Sequence, residues 1–320
     1  MNDLIDFALQ TKFEKVKKLR NNLEEFNKLL NWRKFLKYFP TRSSFVGRPE
    51  YEKILMIKIL FLQSCYNLSD EELEYQIHDR FSFQQFLNFP ESIPDYSTIW
   101  RFREELTEGN LIEDIWSELQ RQMINHGITI EKGVIQDAKF ITADPGKKHS
   151  GMTGRGREAK TSRNADGSWT KKGKKNIFGY KMHTKVDLKT KLITCMGLST
   201  AKTHDGRVDL AENGEVIYRD RGYSGMGTRA KGDATMKRGK LEPHEILRNK
   251  RISRLRCRGE HPYGTMTRSL KAGHTKLTTL TRVYIQQTFV CIVYNLHRLK
   301  FLLKNLVAWA LTNKQENIIN

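Results

Sequence analysis

The first part of the chain places apolar residues three or four positions apart, which is the period of an amphipathic helix. Over residues 1–126 the alternation typical of strands is scarce, and glycine is rare between the polar breaks. The segment 51–63 is apolar on most sides and predicts a buried helix. After Pro94, either Asp95 or Ser97 can cap a further helix. These patterns predict an all-helical N-terminal domain over residues 1–126.

One apolar stripe marks the start of this domain. Its members recur at steps of four, three and four residues, and they are Leu19, Leu23, Phe26 and Leu30. This spacing puts them on one face of a long charged helix. The stripe can dock onto its own domain or form the seam of a dimer, and so short a heptad pattern leaves both interpretations open.

After Gly127 the pattern changes to short β-rich runs, which predicts a mixed α/β domain over residues 127–312. The runs are residues 128–130, 134–135, 179–186, 192–198 and 215–218. The runs 179–186 and 192–198 are joined by residues 187–191 and predict a hairpin. An apolar helix over about residues 283–311 closes the domain, and residues 313–320 are expected to fray.

The charge of the chain favours a polyanionic partner. Lys and Arg number 56 against 36 Asp and Glu, giving a formal charge of +20. Residues 146–175 form a basic insertion with ten Lys or Arg and two acids, which predicts contact with phosphate. The four cysteines form no CxxC pair, the chain opens with Asn2 and Asp3, and no apolar run approaches 20 residues. We therefore expect a cytoplasmic protein without a zinc site, a secretory signal or a membrane span.

Three acids are candidates for chemistry on a phosphodiester. Asp137 ends an apolar strand, and Asp220 closely follows another; neighbouring parallel strands would bring both carboxylates to one edge of a sheet. Glu260 follows residues 248–258, where six of eleven residues are Lys or Arg. Such acids can hold divalent cations or can simply pair with arginines, and on general grounds ion pairing is the more common arrangement. Asp205 and other acids near these segments are assigned no role.

Several short motifs occur in a fixed order along the chain. They are VIQDAKF at 134–140 with ADPG at 143–146, FGYKMH at 178–183, TAKTHD at 200–205, YRDRGY at 218–223 and RCRGEHPYG at 256–264. Together with the helical region 47–103, this ordered set resembles the DDE transposases of the IS-five insertion-sequence family, which belongs to the IS4 and IS5 type.

The resemblance implies a ribonuclease-H-like mixed sheet in the catalytic domain, in which Asp137, Asp220 and Glu260 hold two Mg²⁺ or Mn²⁺ ions. It further implies a transposase that binds terminal inverted repeats, cleaves the DNA and joins the 3′ ends to target DNA. Such an enzyme would act as a homodimer on double-stranded DNA and associate with the nucleoid when bound. A metal-dependent nuclease without strand transfer and a decayed DNA-binding copy remain alternatives.

Basic side chains near these motifs are the candidates for DNA contact, and Arg256 is expected to contact phosphate or orient Glu260. The expected DNA-binding residues are Arg251, Arg254, Arg256, Arg258, Lys174, Lys175, Arg101 and Arg103. Tyr223, Arg268 and His204 are candidate accessory residues.

The chain departs from the pattern of the family at several positions, among them Ser253, where related families often have a Tyr, and two that are discussed below. Thr267 stands where the family usually has a Lys, seven residues after the Glu, and Lys139 replaces a small hydroxyl residue two after the first Asp. Arg268 is adjacent to Thr267, but one step along a helix turns a side chain by about 100°. These departures motivate the alternative of a decayed copy.

Overall fold

The structure is a computed structural model that describes residues 22–40, 49–128, 133–146 and 166–319 and six single positions. The single positions are Phe7, Gln10, Thr11, Glu14, Lys15 and Asn164. Only the backbone is described for residues 306–319. The chain divides into two compact units, Met1–Gln122 and Met123–Asn320.

The first unit is helical in its described part. Its elements are α1 (Asn22–Leu29), a 3₁₀ helix (Trp32–Tyr38), α2 (Lys53–Tyr66), α3 (Asp70–Asp79), α4 (Phe81–Phe86), α5 (Tyr96–Glu108) and α6 (Leu111–Asn125). Asp95 caps α5, because its carboxylate accepts the Thr98 amide at 2.6 Å. Ser69 caps α3 in the same way.

Aromatic rings fill the core of the helical unit. The Trp32 ring lies edge-on to Phe61 and to Phe86, at 5.7 and 5.8 Å between centroids. Lys58 reaches into this cluster and donates to the Phe86 carbonyl at 3.0 Å. Burial lowers the pKa of Lys58 to about 8. The buried lysine thus joins α2 to the end of α4.

The apolar stripe of the first helix packs within its own unit where it is described. Leu23, Phe26 and Leu30 are all buried, and Phe26 meets the Phe61 ring edge-on at 5.5 Å. Leu19 lies outside the described residues. These three residues therefore pack onto their own domain, which is the first of the two interpretations of the stripe.

The buried position of Arg103 differs from its expected role as a DNA contact. Its residue is 2 % exposed, and its guanidinium pairs with Asp70 and donates to Gln63 at 3.0 Å. The sequence suggested a surface arginine, but position 103 faces the interior of the unit between α2 and α3. Arg103 is therefore buried against two half-buried partners, where it joins helices and is not presented at the surface for DNA.

We expect Arg103→Ala to destabilise the protein by about 3 kcal/mol, because it removes the partner of Asp70 and Gln63. Arg101→Ala, on the exposed side of the same helix, is the matched control and should change stability by less than about 0.5 kcal/mol. Urea unfolding followed by circular dichroism measures both. Equal effects of the two substitutions would contradict the structural role of Arg103.

The second unit is built on a mixed sheet. Its described strands are β1 (Gly133–Ala143), β2 (Ser168–Lys172), β3 (Lys175–Asp187), β4 (Ile193–Thr200), β5 (Val216–Arg219), β6 (Gly232–Thr235) and β7 (His274–Thr275). Strand β1 is central, with β3 antiparallel on one side and β5 parallel on the other. β6 continues the parallel half beyond β5, and β4 extends the antiparallel half beyond β3. β2 pairs with the first part of β3, and β7 with the end of β1.

The hairpin predicted for β3 and β4 is confirmed. The two strands are antiparallel, and Asp187 closes their connection by accepting the Thr190 amide at 2.7 Å. Strands β6 and β7 were not predicted, because they are short and carry no alternation of apolar residues. Of the basic insertion 146–175, residues 147–163 and Ala165 lie outside the described residues.

Helices complete the second unit. They are α7 (Pro243–Arg256), a 3₁₀ turn (Cys257–Gly259), α8 (Glu260–Arg268) and α9 (Leu280–Ile319). Asn295 of α9 secures β4, since its side chain accepts from Ile193 N at 2.9 Å and donates to Ile193 O at 2.8 Å. Helix α9 is assigned as far as Ile319, within the segment 313–320 that was expected to fray. Residues 280–319 contain neither Pro nor Gly to end it.

Two further features of the described residues concern membrane-spanning helices and disulfides. Within the described ranges, the helices lack the length of uncharged apolar sequence that a bilayer crossing requires. None of the cysteines at 65, 195, 257 and 291 forms a disulfide.

Candidate active site

Asp137 and Asp220 face each other across the parallel strand pair. The register of β1 and β5 pairs Ile135 with Tyr218. Two residues further along the chain come Asp137, within β1, and Asp220, directly after the end of β5. Asp137 accepts the Ala138 amide at 2.9 Å, and Asp220 accepts the Gly222 amide at 2.7 Å. Strand pairing therefore brings the two carboxylates together, as the sequence predicted.

Arg256 brings the end of α7 to this pair. Its Nη2 lies 3.3 Å from Asp137 Oδ2. The turn that follows can approach β1 closely because residue 259 is glycine: a Cβ there would lie 2.7 Å from Ile135 Cγ2. Burial raises the pKa of Asp137 to about 6, with Arg256 opposing the rise and Asp220 adding to it.

Tyr263 fixes α8 over the same strands. Its hydroxyl donates to the Asp137 backbone carbonyl at 2.7 Å and accepts from Thr184 Oγ1 at 2.8 Å. The residue is buried, so these hydrogen bonds form away from solvent. Tyr263 is the aromatic residue of the motif that contains Glu260, and no role was predicted for it. Its position in the motif was the signal.

A buried network lies directly behind the two aspartates. Gln136 precedes Asp137, and Arg219 precedes Asp220; both are fully buried. The Arg219 guanidinium donates twice to Gln136 Oε1, at 3.1 and 2.9 Å, and also pairs with Asp209. The network ties β1 to β5 one residue before each carboxylate. No local pattern in the sequence indicated it.

Asp205 is a third acid at this edge of the sheet, which the sequence analysis left without a role. A Cβ on Gly222 would lie 2.7 Å from Asp220 Oδ1 and 3.3 Å from Asp205 Oδ2, so both carboxylates border the same space. Lys181 holds the other oxygen of Asp205 at 2.8 Å. The buried Tyr223 hydroxyl has no hydrogen-bond partner within the described part of the chain. The TAKTHD motif was the available signal for Asp205.

Glu260 begins α8 and its side chain is exposed. Among the described residues it forms neither a hydrogen bond nor an ion pair. The same residues contain no group of three or more His, Cys, Asp or Glu spaced to hold a metal ion. The structure thus joins Asp137, Asp220 and Arg256, and places Glu260 four residues beyond Arg256 at a helix start.

Most of the expected DNA contacts lie on the surface. The exposed ones are Arg251, Arg254 and Arg258 on α7 and the turn after it, Lys174 before β3, Lys175 at the start of β3, and Arg101 on α5. Of the other two, Arg256 is half-buried beside Asp137, and Arg103 is buried as described above. Of the candidate accessory residues, His204 and Arg268 are exposed. Tyr223 is 1 % exposed, so it lies beneath the carboxylates.

Two families match this chain. The Transposase DDE domain matches residues 129–296, more than half of the chain, and the Transposase domain DUF772 matches residues 11–105. The chain belongs to the DDE transposase family, a class of enzymes that cleave and transfer DNA. The resemblance to DDE transposases is therefore confirmed at the level of this family. No solved structure matches the chain.

The pKa of Asp137 tests the charge arrangement. In metal-free protein, Arg256→Met should raise this pKa above about 6 because it removes the neighbouring cation, whereas Asp220→Asn should lower it by removing a negative charge. Carbon-13 NMR titration of the carboxyl groups measures both. Arg254→Met, an exposed position two residues earlier, should leave the value unchanged. An unaltered pKa in Arg256→Met would rule out the ion pair.

Proposed function

We propose that this protein is an insertion-sequence transposase of the IS-five type. It binds the terminal inverted repeats of its element, cleaves DNA in a metal-dependent reaction and transfers the 3′ ends to target DNA. The observation that carries the proposal is the opposition of Asp137 and Asp220 on parallel strands of a DDE domain. The formal charge of +20 suits the DNA substrate, and pairing of two element ends calls for a homodimer.

The strand order supports a ribonuclease-H-like fold for the catalytic domain. Without β2 and β7, the sheet runs β4, β3, β1, β5, β6, with the first three strands antiparallel and the last three parallel. In such a mixed sheet the central strand lies at the change from antiparallel to parallel pairing. Asp137 lies on that central strand, next to the parallel neighbour that leads to Asp220.

The residues at this edge fit divalent cations. Carboxylate oxygens are the ligands that Mg²⁺ and Mn²⁺ prefer, and Gly222 leaves open the space that a Cβ would fill between Asp220 and Asp205. Asp137 and Asp220 would hold the ions, with Glu260 completing the set from the start of α8. When bound, such ions activate a water or a DNA 3′-hydroxyl and stabilise the leaving oxygen of an in-line displacement.

The chain itself supplies positioning and charge. Arg256 holds the Asp137 carboxylate in place from the end of α7, and Tyr263 keeps α8 docked on β1. Arg251, Arg254 and Arg258 present exposed cations along the same helical run, where they would contact phosphates on either side of the cleaved bond. The acids and the cations thus come from adjoining elements.

Substitution of the acids tests the proposal. Asp137→Asn, Asp220→Asn and Glu260→Gln should each reduce Mg²⁺-dependent cleavage of a labelled duplex carrying the terminal repeat at least 100-fold, on the order of the loss of one catalytic group. Binding of the duplex in EDTA should stay within about threefold. Asp187→Asn is the control acid, because Asp187 serves the hairpin turn.

Joining of the cleaved 3′ end to a second duplex separates a transposase from a nuclease, which would cleave without joining. Binding without cleavage under Mg²⁺ or Mn²⁺ would identify a decayed copy. Full cleavage by the three acid variants would overturn the site assignment.

A further inference from the structure

Strand β2 and the first part of β3 form a two-stranded ribbon that leaves the main sheet. Its pairs run from Ser168 with Gly179 to Lys172 with Lys175. The other two neighbours of β3, which are β1 and β4, pair with it only from residue 179 onwards. Among the described residues, no third strand therefore borders residues 168–178, which are named the basic ribbon below.

The basic ribbon concentrates positive charge without any acid. Its four lysines are Lys171, Lys172, Lys174 and Lys175. All four are exposed, and within the described part of the chain none of them forms an ion pair. Lys172 and Lys175 pair with each other and so share one face of the ribbon, whereas Lys171 lies on the opposite face and Lys174 in the turn. Cations gathered in this way favour a polyanionic partner.

The base of the basic ribbon is fixed to the rest of the domain. The Ser168 hydroxyl accepts from the Lys202 amide at 2.9 Å. The Trp169 and Phe178 rings pack against each other across the ribbon, with 5.2 Å between their centroids. The lysines beyond this base are therefore carried on an ordered structure, which lowers the entropy cost of binding a partner.

The turn of the basic ribbon lies on the same strand as the partner of Asp137. In the register of β1 and β3, Asp137 is opposite Thr184. Lys175 lies nine residues before Thr184 on β3, and nine residues of strand span about 30 Å. Duplex DNA rises about 3.4 Å per base pair, so this distance corresponds to about nine base pairs, close to one helical turn.

The distribution of the lysines indicates how DNA would be contacted. The major groove of B-DNA is about 12 Å wide and admits a two-stranded β-ribbon. Phosphates border this groove on both sides, whereas a surface that lies flat on one DNA backbone needs cations on a single face. Because Lys171 and Lys175 lie on opposite faces, the charges of the basic ribbon suit a groove.

We propose that the basic ribbon enters the major groove of a DNA duplex about one helical turn from the bond that is cleaved. The proposal rests on the proposed function for the identity of the partner and for cleavage beside Asp137 and Asp220. It adds a contact region on β2 and β3 to the one formed by the arginines of α7. The two regions would hold the duplex at two separate places along its length.

The salt dependence of binding tests the contact between the basic ribbon and DNA. Affinity for a labelled duplex of arbitrary sequence is measured in EDTA over a series of salt concentrations. Lys171→Thr and Lys175→Thr should each reduce the salt slope by about 0.9, the value for one phosphate contact, and the double variant should reduce it by about twice that amount.

Lys231→Thr is the matched control. Lys231 is an exposed lysine immediately before β6, on the opposite half of the sheet from the basic ribbon. This variant should leave the salt slope unchanged. Threonine suits an exposed strand position, and if either ribbon variant lowers the unfolding midpoint, glutamine replaces threonine there.

Methylation by dimethyl sulfate locates the basic ribbon on DNA, because it modifies guanine N7, an atom exposed in the major groove. On a duplex carrying the terminal repeat, the wild-type protein should protect guanines about nine base pairs from the cleaved bond. The Lys171→Thr and Lys175→Thr double variant should lose this protection and keep the protection next to the bond.

The outcomes separate the basic ribbon from the proposed function. A salt slope in the double variant equal to that of the wild type overturns the DNA contact, and the lysines would then only keep the open strand edges from pairing with another chain. A reduced slope without protected guanine N7 at that distance overturns the placement in the major groove. A wild-type protein that binds DNA without cleaving it would reject the transposase activity alone, since the slopes on arbitrary DNA still decide whether the ribbon binds.

Discussion

The parallel pairing of β1 with β5 is the constraint on which the site depends. In a parallel pair the register decides which residues are neighbours, so two side chains at equal steps along the strands meet at one edge. In this protein the strands are joined inside the sheet by the Arg219 guanidinium on the Gln136 amide oxygen. A buried charged hydrogen bond tolerates the loss of a partner poorly. The separation of Asp137 and Asp220 is therefore set by side chains that face away from solvent.

Electrostatics at this edge balances concentrated acids against cations held close to them. Asp137 is desolvated and has acidic neighbours, which raises its pKa, and Arg256 offsets part of that cost. Because the pKa in the folded state lies above the ordinary value of 3.8, this carboxyl makes the metal-free protein less stable as pH rises from about 4 to about 6. The protein thus carries unfavourable negative charge around Asp137, where the proposed cations would bind.

Much of the fold could be predicted from the sequence because its signals are local. The hairpin of β3 and β4 appears as two β-rich runs around a turn, and Asp220 follows an apolar strand. Asp137 was expected to end its strand, but β1 continues past it to Ala143. The partners of those residues could not be found in this way. Tyr263 is 126 residues from Asp137, the residue whose carbonyl it contacts, and Arg219 is 83 residues from Gln136. Such contacts are created by strand order and helix docking, so no window of sequence contains both members.

The hydrogen bond from Tyr263 to the Asp137 carbonyl anchors α8 on the backbone of β1 and does not use the Asp137 side chain. The hydroxyl donates to the backbone of β1 and accepts from a threonine of β3, and neither hydrogen bond involves the Asp137 carboxylate. Protonation, deprotonation or a change of ligand at that carboxylate therefore leaves the anchor of α8 in place. The helix that bears Glu260 is thus held by a hydrogen bond to the backbone of β1. The Asp137 side chain can change its charge without breaking that hydrogen bond.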